Sequence, residues 1–111
     1  EIAKAILTEI GLEVEDASDG TVAVQKFKET PPNYYDLILM DVQMPTMNGY
    51  DATRNIRALN RSDAKTVPIV AMTANAFEED KENARNAGMD DHLAKPLDIP
   101  KLLETLHKYL K

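Results

Sequence analysis

The chain has 111 residues, 43% hydrophobic and 29% charged, with a net charge of −6 and no cysteine. One globular domain of this size buries a core without staples, and the absence of cysteine excludes disulfides and thiolate metal sites while suiting a reducing compartment. No apolar run approaches a membrane span or a signal peptide, and the acidic balance without a Lys/Arg cluster argues against direct nucleic-acid binding, which draws its affinity from phosphate neutralisation.

Taken in chain order, residues 1–10 have helical periodicity, with Ile2, Ile6 and Ile10 on one stripe and Gly11 suited to the position past the end. Glu13-Val14-Glu15-Asp16-Ala17 alternates roughly and predicts an edge strand. Ser18-Asp19-Gly20 reads as a turn and cap to a helix over 20–29, which Thr30-Pro31-Pro32-Asn33 ends. Leu37-Ile38-Leu39-Met40 is a continuous apolar run, as in a parallel strand buried on both faces, and it stops at Asp41. The turn residues Asn48-Gly49 open a helix carrying Ala52, Ile56 and Leu59, and residues 60–66 read as polar loop.

Pro68-Ile69-Val70-Ala71-Met72 is a second buried-strand run, ending at Thr73. Residues 76–87 predict a mostly polar helix, anchored by Phe77, Ala84 and Ala87 and ended by Gly88. Asp91-His92-Leu93-Ala94 is a short strand leading to Lys95-Pro96. Asp98 suits an N-cap and Pro100 the first turn of a last helix, whose apolar face is Leu102, Leu103, Leu106, Tyr109 and Leu110. The alternation of helix and strand predicts an α/β fold with a parallel sheet covered on both faces.

Three strands therefore end in Asp41, Thr73 and Lys95, and right-handed crossovers bring all three ends to one edge of the sheet. A carboxylate can attack phosphorus to form an acyl phosphate, a hydroxyl can hydrogen-bond a phosphoryl oxygen, and an ammonium can neutralise it. Such a site also calls for Mg²⁺, a hard cation taking oxygen ligands. Taken singly, Asp41 could start a turn, Thr73 could cap a helix and Lys95 could be solvated. Their recurrence at successive strand ends favours a site.

These residues, with Met40-Asp41-Val42-Gln43-Met44-Pro45, Met47-Asn48-Gly49, Thr73-Ala74 and Gly88-Met89-Asp90-Asp91 leading to Lys95-Pro96-Leu97, resemble the receiver domain of two-component response regulators. The wording around residues 71–80 and 88–97 is most similar to receivers fused to hybrid sensor histidine kinases. The resemblance implies a flavodoxin-like, doubly wound (βα)5 receiver fold. It implies phosphorylation of Asp41 by a phosphohistidine, with Thr73, Ala74 and Lys95 binding the phosphoryl group. Mg²⁺ would be held by Asp41 and the Gln43 main-chain carbonyl, Gln43 and Asn75 would tune dephosphorylation, and Lys95-Pro96 would be a cis peptide. The implied partner is a histidine kinase or histidine-phosphotransfer domain docking near helix 1–10, in the cytoplasm, within a parent that can be membrane-anchored.

Two departures stand out. His92 occupies the switch position where the family often has Tyr or Phe, and it is expected to be a partly exposed structural histidine. The family's first strand, which ends in an acidic pair, precedes everything in this chain. One receiver, incomplete at its N-terminus, is therefore expected over 1–111, its gap closed by a parent strand, by rearrangement or by strand exchange with another chain. Two rival functions are an aspartyl-nucleophile phosphatase or phosphotransferase, against which Gln43 stands where an acid/base Asp is usual, and an interaction module that no longer accepts phosphate.

Overall fold

The structure, a computed structural model, describes residues 2–15, 17, 19–42, 47–73, 78–94 and 98–110. The elements run α1 (Ile2–Glu9), α2 (Gly20–Glu29), β1 (Ile38–Asp41), α3 (Gly49–Arg57), α4 (Asp63–Thr66), β2 (Ile69–Thr73), α5 (Glu78–Ala87), β3 (Asp91–Ala94) and α6 (Ile99–Tyr109). The three strands form one parallel sheet in the order β1-β2-β3.

Registered residues of a parallel sheet point to the same face, and successive residues alternate. Ile38, Ile69, Met40 and Ala71 thus share one face, where Phe27 of α2, Ala52 and Ile56 of α3 and Ala84 of α5 pack on them. Leu39, Val70 and Leu93 point the other way, against Leu7 of α1 and Leu102 and Leu106 of α6. Helices cover both faces, which is why the strands read as unbroken apolar runs.

The helix ends follow local chemistry. Asp19 and Asn48 cap α2 and α3, their side-chain oxygens accepting from the amides of Val22 (3.0 Å) and Asp51 (2.9 Å). Asp98 sits at the N-cap position of α6 without a side-chain capping bond, and Pro100 occupies the first turn. Helices α1 and α5 both end in Schellman turns, with Leu12 N–H on Leu7 (3.1 Å) and Met89 N–H on Ala84 (3.0 Å). Each turns through a glycine at positive φ, Gly11 (96°) and Gly88 (106°), where a side chain would be strained.

Three expectations are corrected. The stretch 13–17 is not a strand: its described residues lie outside the three-stranded sheet. A strand exists through its ladder partners, and here the nearest strand, β1, lies across an open cleft. Ile10 is 50% exposed rather than part of the buried stripe of α1, because the helix ends at Glu9 and the chain turns at Gly11. Within the expected loop 60–66, residues 63–66 form the single turn α4. Tertiary contacts hold that turn. Arg61 pairs with Asp63 (2.8 Å), donates to the carbonyls of Phe27, Thr30 and Pro31, and lies 4.6 Å over the Phe27 ring.

Candidate functional site

The site is built on the carboxyl edge of the sheet. β1 ends at Asp41, registered opposite Met72, so Thr73 at the end of β2 lies one residue further along. Thr73 in turn is registered with Ala94, the last residue of β3 and the one before Lys95. Asp41 and Thr73 are both half-buried, as side chains facing a solvent-filled edge should be. The ladder continues one step past Asp41, with Val42 N–H on the Met72 carbonyl (3.0 Å), and the loop then returns so that Gly49 N–H meets the Val42 carbonyl (3.0 Å). Gln43, Ala74, Asn75, Lys95 and Pro96, which the sequence also nominates, lie outside the described residues, and so does the Lys95-Pro96 peptide bond.

His92 is registered with Ala71, two residues before Thr73, so both side chains belong to the same face of the sheet. It is one-third exposed, its amide donates to Asp91 Oδ1 (2.8 Å), and its Nδ1 is 3.8 Å from that oxygen. The partial exposure expected of His92 is thus observed.

A cleft of about 990 Å³ runs beside β1, between its outer edge and the segment 12–17. Asp41 lines one end; Glu15, Tyr34 and Tyr35 line it toward the start of β1. Its walls are apolar along the middle, with Leu12, Val14 and Leu39 among them. Among the described residues no strand pairs with this edge of β1. At the far end both tyrosine hydroxyls donate to the Glu15 carboxylate, Tyr34 at 2.7 Å and Tyr35 at 2.9 Å. These bonds hold the Glu15 carboxyl below its ordinary pKa, and burial together with the same bond pushes Tyr35 up to about 12. Sequence reading missed this clasp, for which adjacent tyrosines opposite an acidic segment were the only available signal.

The whole of residues 1–107 matches the family model described as response regulator receiver domain. The chain belongs to the response regulator receiver domain family. It is a phosphoacceptor receiver domain of two-component signalling, closely related to the receivers of hybrid sensor histidine kinases. It is 37% identical over 121 residues to "Probable histidine kinase 2" of Oryza sativa subsp. indica, covering 99% of this chain and 12% of that protein. Against the aerobic respiration control sensor protein ArcB of Escherichia coli (strain K12) it is 40% identical over 109 residues, covering 97% of this chain and 13% of that protein. Among solved structures, the receiver domain of sensor histidine kinase PA1611 from Pseudomonas aeruginosa PAO1 superposes with a TM-score of 0.85 at 41% identity, covering 97% of this chain and 84% of that one. That receiver coordinates a magnesium ion in its active-site cleft. Among the described residues of the present receiver, no helix is long and apolar enough to cross a membrane.

Proposed function

We propose that Asp41 is the phosphoacceptor. The observation that carries this is the strand register, which sets Asp41, Thr73 and the residue before Lys95 within one step of each other at a single sheet edge. The donor is a phosphohistidine on a histidine kinase or histidine-phosphotransfer domain, as the kinship with hybrid kinases supports. An Asp41 oxygen attacks phosphorus, the P–N bond breaks, and its electron pair returns to the imidazole nitrogen of the donor. Thr73 and the Ala74 amide hydrogen-bond the phosphoryl oxygens, and Lys95 pairs with their charge. Gln43 and Asn75, two residues past Asp41 and Thr73, set how water reaches the acyl phosphate. His92, on the Thr73 face, stands at the family's switch position. The domain works in the cytoplasm.

Mg²⁺ requires several oxygen ligands. Asp41 is a donor of the right chemistry, but among the described residues no three carboxylates or imidazoles converge, so they do not complete a site. The Gln43 carbonyl would add one ligand. We propose that the others arrive on a further parallel strand filling the cleft beside β1, its carboxyl end level with Asp41, against which the segment 13–17 would then pair as the fifth strand of a (βα)5 receiver fold. The strand comes from the parent polypeptide or, by exchange, from another chain.

Incubation of the parent protein with a small-molecule phosphodonor and Mg²⁺, followed by peptide mass spectrometry, tests the assignment. Label should appear on Asp41 alone and vanish in Asp41→Asn. Label that persists at the wild-type level in that variant overturns it.

A further inference from the structure

The first residues of α2 and α3 are both glycines; Gly49 is pressed against the main chain of Asp41, and Gly20 against Met47 further on. A Cβ on Gly49 would stand 2.3 Å from the Asp41 carbonyl oxygen and 3.0 Å from Met40 Cγ. One on Gly20 would stand 2.3 Å from the Met47 carbonyl oxygen. Real Cβ atoms do not come that near, and the obstructing atoms are backbone, which cannot rotate aside. Each glycine also donates its amide into the same loop, Gly49 to Val42 (3.0 Å) and Gly20 to Met47 (3.2 Å). Asp19 and Asn48 cap the two helices through the amides of Val22 and Asp51. The loop leaving Asp41 is therefore gripped at its base by α3 and near its return by α2.

We propose that Gly20 and Gly49 are positioning residues for phosphotransfer: they set where the main chain of Asp41 and the loop after it lie. The inference rests on Asp41 being the acceptor. It makes the N-terminus of α2, which carries none of the nominated site residues, part of what aligns the carboxylate. A methyl group on Gly20 must displace Met47, and the displacement reaches Val42 and Asp41 through Asn48 and Gly49, whose amide bonds the Val42 carbonyl and whose Cα abuts the Asp41 main chain. Alignment within a fraction of an ångström governs such reactions, and a misplacement near 1 Å costs up to about 100-fold.

The test uses the parent protein carrying Gly20→Ala, with Gly88→Ala as the control. Gly88 lies before β3, at the opposite edge of the sheet, and alanine there is strained by its positive φ without touching the Asp41 loop. Two quantities are compared at equal folded fraction: the rate of labelling by a small-molecule phosphodonor, and the metal-free amide resonances of Asp41 and Val42. Gly20→Ala should slow labelling by about tenfold or more and shift both resonances, while Gly88→Ala leaves the rate within about twofold and the resonances in place. Should Gly20→Ala not fold, Met47→Gly loosens the same loop without adding an atom, and the same two measurements decide. A wild-type rate with unmoved resonances overturns the positioning role. Persistence of label in Asp41→Asn would instead overturn the acceptor assignment, so the two failures are separable.

Discussion

Asp63 shows how one buried charge can hold a junction together. Its side chain is 5% exposed, and it accepts from Arg61 through both oxygens (2.8 Å each) and from the Asn33 amide (2.9 Å). The Arg61 bonds come first among the causes that bring its pKa down to about 2. A carboxylate with a lowered folded-state pKa contributes stability that is present above its unfolded value and lost as pH falls through the folded one. Unfolding midpoints in urea should therefore drop between about pH 4 and pH 2. Asp63→Asn should lower the midpoint at pH 7 and flatten that acid limb. An unchanged limb would mean that other carboxylates produce it. Nothing in the local sequence announced this role: Arg-Ser-Asp in a polar stretch reads as solvated loop, and only the return of 27–33 from far along the chain buries it.

Between elements, anchoring is uneven. Leu102 of α6 is fully buried among Leu7, Val70 and Leu93. Leu102→Ala should cost about 2–5 kcal/mol in unfolding free energy, by lost transfer and the cavity left behind. The described apolar contacts of α5 are instead small, Ala84 and Ala87, with Met89 just past its end. Its amides should exchange with solvent earlier than those of α3, which is pinned by Ala52, Thr53 and Ile56, and phosphorylation should alter exchange there first. Hydrogen-exchange mass spectrometry showing equal protection of α5 and α3 would contradict this. The polar character of α5 was legible in the sequence, as were β1 and β2, because a strand covered on both faces must be apolar throughout. The segment 13–17 was misread for the same physical reason in reverse: alternation describes a strand only when a neighbour is there to pair with it.

On the scale of the whole molecule, no strand among the described residues pairs with the outer edge of β1. The carboxyl edge of Asp41 and Thr73 was legible because parallel topology fixes which ends share an edge. The cleft beside it was not, since a gap leaves no mark in the residues that surround it. Filling the cleft with a five-residue strand buries apolar side chains worth roughly 1.5–3 kcal/mol each, against an ordering cost of about 1–2 kcal/mol per residue. A version extended upstream by one strand should thus be more stable than residues 1–111 by roughly 2–5 kcal/mol in urea unfolding. It should also remain monomeric where the shorter chain self-associates through its exposed edge. Equal stability and identical sedimentation of the two versions would show that the cleft needs no occupant.

The clasp at the far end of that cleft has an optical consequence. The chain has four tyrosines and no tryptophan, so no indole masks phenol emission. Tyr34 and Tyr35 line the cleft, and each is bonded through its hydroxyl to a carboxylate, Glu15. A strand sliding in beside β1 changes the surroundings of both phenols at once. The domain thus carries its own dye beside the cleft, and its ultraviolet spectrum distinguishes a filled cleft from an open one without any label.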